Sequence, residues 1–236
     1  MQTDMTVGKP MKMILDFTIP VFIGNVFQQF YNMADAIIVG KFVGTKGLAA
    51  VGSTGTIMFL IIGFLTGLTA GFTVLTSQKF GAGKMDEMRQ SVGNAALLSI
   101  IISVIMTAVS MVGMHSLLTL MHTPEDIFQD AYIYIMIICG GIFAQVLYNI
   151  LASILRALGN SKIPLYFLII SALLNIVLDL FLIIVFQMGA PGAAIATVVA
   201  QGISGVLCLI YIMWKIPLLH LKKETGMLAD RFMRSS

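Results

Sequence analysis

Two aspartates lie deep inside long apolar stretches of the sequence, Asp35 and Asp179, and each has a carboxamide on its own helical face: Asn32 precedes Asp35 by three residues and Asn175 precedes Asp179 by four. Thr197 adds a hydroxyl in a further apolar stretch. Carboxylate, amide and hydroxyl oxygens are hard donors, suited to a small hard cation such as sodium or to a shared proton, and poorly suited to a soft metal. Two carboxyl groups brought together do not both ionise easily unless a cation lies between them, which is the physical basis of a proton or sodium switch. An ionisable side chain in hydrocarbon costs about 2.5–3.5 kcal/mol on insertion scales, so it is a functional candidate by default. The bland alternative is that both acids tie helices together through Asn and Thr neighbours. Buried pairing alone is weak evidence for stability, and two acids at one depth are more than packing requires. Asp16, close to the inner end of its stretch, reads as interfacial.

Long helices in a bilayer must position these groups. Apolar residues make up 58% of the 236 positions and charged residues 11%, where a soluble domain averages about 25% charged. The apolar residues come in runs long enough to span a bilayer, for which about 20 residues suffice. Hydropathy and turn residues place six spans, Met13 to Gly40, Leu48 to Lys79, Ser91 to Ser116, Ile127 to Ala157, Ile163 to Gln187 and Gly192 to Trp214. The expected fold is an all-α integral membrane bundle of six helices over residues 13–214. A polar segment, 1–12, precedes it, and a basic tail or linker start, 215–236, follows. At about 1.5 Å per residue, Asp35 lies about 8 Å from the outer end of its helix, Asp179 about 12 Å and Thr197 about 8 Å. The three can meet at one depth in the outer half of the bundle.

Charge asymmetry orients the bundle. Twelve Lys and Arg residues, including Lys79, Lys84, Arg89, Arg156, Lys162 and Lys215, fall on one side of the six spans and only Lys41 and Lys46 on the other. Short basic loops stay in the cytoplasm, so both termini are expected inside the cytoplasmic membrane. The net charge of +3 is thereby a topology signal, with no patch for nucleic acid. The first apolar run is longer than the core of a cleavable signal peptide and reads as a retained helix. Cys139 and Cys208 lack any metal or disulfide spacing and read as small packing residues. His115 and His122 fall in an outer loop and His220 in the tail. No HExxH, GxSxG, P-loop or GxGxxG pattern is present, and no enzymatic activity or cofactor is expected. Gly63, Gly67 and Gly71 recur every fourth residue and are expected to let helices pack closely. Pro20 removes one backbone hydrogen bond from the first span, either as a simple kink or as a hinge used in transport.

The run from Gln28 to Gly40, followed by Gly47 to Gly52, resembles the first-helix signature of the MATE (multidrug and toxic compound extrusion) family. Leu155 to Pro164 is similar to that family's turn between helices four and five, and Asn175 to Asp179 and Gly192 to Thr197 continue the likeness over nearly the whole chain. The resemblance implies one six-helix lobe of a twelve-helix antiporter that exports cationic or amphipathic, often aromatic, compounds in exchange for sodium or protons. In the DinF-like branch it implies a coupling site of Asp35, Asn175, Asp179 and Thr197, with Tyr134 and Asn149 as further network members and Pro20 as a bending proline; Asn149 is too deep for that site by helix count. The partners implied are drug-like small molecules, membrane lipids, and a second lobe or a second copy. A flippase for lipid-linked saccharides, whose architecture is related, would line its path with Arg and Lys for phosphate; here only Arg156 comes near a span interior, at its inner end. A partner lobe with no transport of its own is the remaining reading.

With Cys139 and Cys208 removed, a cysteine at Thr45 or Glu125 is expected to react with an impermeant thiol reagent outside sealed cells, and one at Lys84 or Lys162 is not. External labelling at Lys84 would overturn the orientation.

Overall fold

The computed structural model describes residues 10–216, and these are helical with no strand. In chain order the helices are α1 (Pro10–Phe42), α2 (Thr45–Gly81), α3 (Met85–Leu120), α4 (Glu125–Gly140), α5 (Ile142–Ala157), α6 (Lys162–Leu180), a π-helical turn (Phe181–Val185) and α7 (Gly189–Lys215). Most of segment 1–12 and nearly all of tail 215–236, with Lys9, His220, Lys222, Lys223, Arg231 and Arg234, lie outside the described residues. Five helices are long and apolar enough to cross a membrane, and the bent pair α4 and α5 makes a sixth span. The bundle is therefore the six-span all-α membrane fold that hydropathy predicts.

Large apolar side chains cover its outside: Val112 is 85% exposed, Trp214 80% and Phe59 77%. Lipid is the solvent that such a surface matches, and helices satisfy their own backbone groups within it. Inside, α7 is the central element, packed on α4, α5 and α6. It approaches them through Ala193, Ala194, Ala196 and Ala200, all fully buried, because small residues let backbones come together where no hydrophobic effect drives association. Toward the end that the charge count assigns to the outside, Val39, Leu65, Met114, Leu118 and Ile135 form one apolar core. Met88, Leu155, Leu158 and Cys208 form a second toward the inner end.

Four local features bear on the sequence reading. The fourth span is not straight but bends by 46° between Gly140 and Ile142. A Cβ at Gly141 would stand 2.2 Å from Val198 Cγ2, so the missing side chain is what lets α7 press into the bend. Thr107 of α3 donates its hydroxyl to the Cys139 carbonyl at 3.3 Å, supplying a partner where the helix is interrupted. The fifth span ends in a π turn, in which Phe186 N–H reaches the Phe181 carbonyl five residues back at 3.3 Å. The glycines at 63, 67 and 71 have nothing within 4 Å of a would-be Cβ. They lie opposite α2's buried Leu65, Thr69 and Thr76, so they serve no close packing among the described residues. Finally, Pro20 lies within the continuous α1 and is buried.

Filling the bend tests this account. Gly141→Ala is expected to destabilise the bundle by about 1–3 kcal/mol through overpacking, read as a lower unfolding midpoint in detergent. Adding Val198→Ala is expected to restore part of the loss, since it removes Cγ1 and Cγ2, the two closest atoms that the new methyl group meets, while Cβ stays at 3.0 Å.

Candidate cation-coupling site

Three helices bring the predicted acids together. Asp35 projects from the outer third of α1, Asp179 from the last turn of α6 before the π segment, and Thr197 from the third turn of α7. The Asp35 and Asp179 carboxyl groups lie close enough to interact, and two carboxylates held together favour sharing a proton or a cation. Asp179 and Asn175 are completely buried. Turned to satisfy its surroundings, the Asn175 amide donates to Asp179 Oδ2 at 3.1 Å and accepts from the Thr197 backbone N–H at 3.3 Å. The same amide end lies 3.3 Å from Thr197 Oγ1.

Tyr31 is the member that sequence reasoning missed. Its hydroxyl donates to Thr197 Oγ1 at 3.2 Å, and its ring is buried beside both acids. The signal was present, because Tyr31 precedes Asp35 by four residues and so shares its face of α1. Tyr134 of α4 is buried next to the two acids and Tyr31. Asn32 is exposed and borders the same cavity one turn from Asp35. Asn149 lies on α5 along the cavity wall, and its amide donates to the Gln145 carbonyl of its own helix at 2.9 Å; no contact joins it to the acids. Pro20 lines the cavity toward its inner end.

Each acid retains one oxygen, Oδ1, that is buried without a hydrogen-bond partner. Leaving such an acceptor unpaired in a low-dielectric interior is costly, and a cation or proton at this point would relieve it. The oxygens available are those of Asp35, Asp179, Asn175 and Thr197, a hard donor set that fits sodium or a proton. Among the described residues no group of three or more His, Cys, Asp or Glu side chains converges as a transition-metal site. Beside the acids opens a cavity of about 740 Å³, bordered by α1, α2, α4, α5, α6 and α7, with Asp35 and Tyr134 in its wall.

Residues 20–181 match the MatE family profile. The probable multidrug resistance protein YpnP of Bacillus subtilis is 32% identical over 209 residues, which are 89% of this chain and 47% of YpnP. The probable multidrug resistance protein YoeA of the same organism is 28% identical over 83% of this chain and 43% of its own length. A solved outward-facing structure of a multidrug resistance MATE family transporter of the MOP superfamily superposes with a TM-score of 0.85 at 28% identity, covering 92% of this chain and 48% of that one. The chain thus spans about half the length of the curated relatives it matches. These relatives are multidrug resistance proteins and transporters, not enzymes.

A double-mutant cycle on Tyr31→Phe and Thr197→Val measures the bond between α1 and α7. Each change removes one end of it, and a coupling of about 0.5–1.5 kcal/mol in unfolding free energy is expected. Additive effects would mean that the two hydroxyls do not interact.

Proposed function

Because the chain belongs to the MatE family, we propose that it forms one six-helix lobe of a cation-coupled exporter of cationic or amphipathic drugs, and that Asp35 and Asp179 are its coupling pair. The observation that carries this reading is the pair of carboxyl groups, each with a buried unpartnered oxygen, of which Asp35 stands in the wall of a large cavity and Asp179 behind it is fully buried. Asn175 and Thr197 complete the oxygen set, Tyr31 and Tyr134 hold it from α1 and α4, and Pro20 is a candidate hinge lower on α1. Placing the coupling site in this lobe, as in the DinF-like branch, is part of the proposal. So are a second lobe or second copy as partner, and a cytoplasmic membrane with both termini inside.

The chemistry follows from charge. A proton or sodium ion at the pair removes one of its two negative charges and lets the two carboxyls stay close in a low-dielectric interior. Its departure leaves two like charges side by side, which favours opening of the helices that carry them, α1 and α6. A cationic drug in the cavity is attracted more strongly by the doubly ionised pair than by the pair with its ion bound. Entry of the ion therefore lowers the affinity for the drug, which is the coupling that exchange needs.

The test replaces charge while keeping size. Asp35→Asn and Asp179→Asn are each expected to insert normally and to abolish ion-driven efflux when a second lobe is present. If sodium is the ion, Thr197→Val is expected to weaken sodium binding by about tenfold through loss of one ligand oxygen; if a proton is the ion, it matters less than either Asp change. Efflux is measured across pH with and without sodium. Export equal to the parent by both Asp→Asn variants under every gradient would return the acids to a structural role.

A further inference from the structure

The cavity has a second pole that the coupling pair does not use. Along α1 its wall runs from Pro20 to Ala36, about 24 Å of helix. Asp35 and Tyr134 mark the outer part, amides such as Gln145, Asn149 and Gln201 the middle, and Arg156 with Ser161 the inner end. Arg156 is half-buried and has no carboxylate partner among the described residues; its hydrogen bond is a long one, Nη2 to the Ser153 hydroxyl at 3.4 Å. A guanidinium presents five donors in a rigid fork and stays charged, so one weak bond to a hydroxyl leaves most of its capacity unmet.

The surroundings add to that capacity. At the same end of the cavity Ser161 is buried and its side chain caps no helical N–H, while Asn160 Oδ1 accepts from the Ile163 N–H at 3.2 Å and caps the start of α6. The positive end of this 19-residue helix borders the same cavity as the arginine. Tyr148 lines the same wall and is held in place by its hydroxyl, which donates to the Pro164 carbonyl at 3.0 Å. A flat aromatic ring and a guanidinium in one cavity wall suit a planar, aromatic oxyanion.

We propose that Arg156 is an anion subsite of the transport cavity and takes the carboxylate or phosphate of an amphipathic solute whose other end reaches toward Asp35. The assignment rests on the export reading for the cavity as a whole and adds the substrate class: molecules bearing an oxyanion, zwitterions among them. The dull role for Arg156 is to complement the C-terminal dipole of α5 and to mark the cytoplasmic side. That role predicts no preference between ligands.

The experiment uses the full chain, purified in detergent, and two fluorescent rhodamines that differ only in a free carboxylate or its methyl ester. Binding is read by anisotropy. Arg156→Gln is expected to weaken the carboxylate dye by about tenfold, the scale of one charge-assisted contact, and to leave the ester within about twofold, which also serves as the check on folding. Arg156→Lys keeps the charge but loses the fork and is expected to fall between. Equal effects of Arg156→Gln on both dyes, or none on either, would overturn the subsite while leaving the export reading intact; failure of both dyes to bind the parent chain would remove the cavity reading beneath it. A short-chain phosphatidylglycerol is titrated in a parallel arm. Arg156-dependent binding of that lipid with no discrimination between the dyes would place a headgroup there and overturn the assignment to a soluble solute.

Discussion

Everything about the lobe is organised around two carboxyl groups meeting across the bundle in a medium that cannot solvate them. Asp35 and Asp179 belong to α1 and α6, which pack against each other along their length. Water would make the meeting trivial; hydrocarbon makes it depend on what surrounds the pair. Asn175 donates to one acid, Thr197 stands between Asn175 and Tyr31, and Tyr134 closes the site from α4. Four spans thereby contribute to one polar knot, while the apolar cores above and below it keep lipid and water out. What remains open is the side of the cavity, and it is there that the unpartnered oxygens acquire a use.

The close packing that supports this knot is concentrated on α7. Its alanines are buried without exception between Ala193 and Ala200 save where Thr197 and its neighbours face the site. A Cβ at Gly205 would stand 3.2–3.3 Å from Leu147 and the Tyr148 backbone, so α5 and α7 pack closely on the inner half as Gly141 and Val198 do on the outer. In a membrane this van der Waals fit takes the place that hydrophobic burial holds in water. The central helix is thus rigid where the site needs a fixed hydroxyl, and α1, packed chiefly on α6, is the peripheral element.

Much of this was legible in the residues. Apolar run length gave six spans, and rise per residue set Asp35, Asp179 and Thr197 at one depth, because both rules depend only on helix geometry and the thickness of the bilayer. The bend at Gly141 was not legible, since its cause is Val198, far away in sequence. The glycines of α2 misled for the same reason: spacing marks a face that permits close approach and does not say what approaches it. Tyr31 was passed over because a tyrosine among apolar residues reads as bulk until its hydroxyl is seen to reach Thr197. The pole at Arg156 needed the turn into α6, which places Ser161 and the helix start on the same cavity.

The π turn that follows Asp179 sets the phase of what comes after it. A helix that continued in α geometry would advance about 100° per residue, whereas the wider turn from Phe181 to Val185 absorbs one residue more before the chain comes round again. The face carrying Asn175 and Asp179 and the face presented by the outer end of the span are therefore set independently, as two rings threaded on one axis with a slip joint between them. The acids stay aimed at α1 and α7, while the outermost turn, Phe181 edge-on to Phe186, is free to follow the loop that leads into α7.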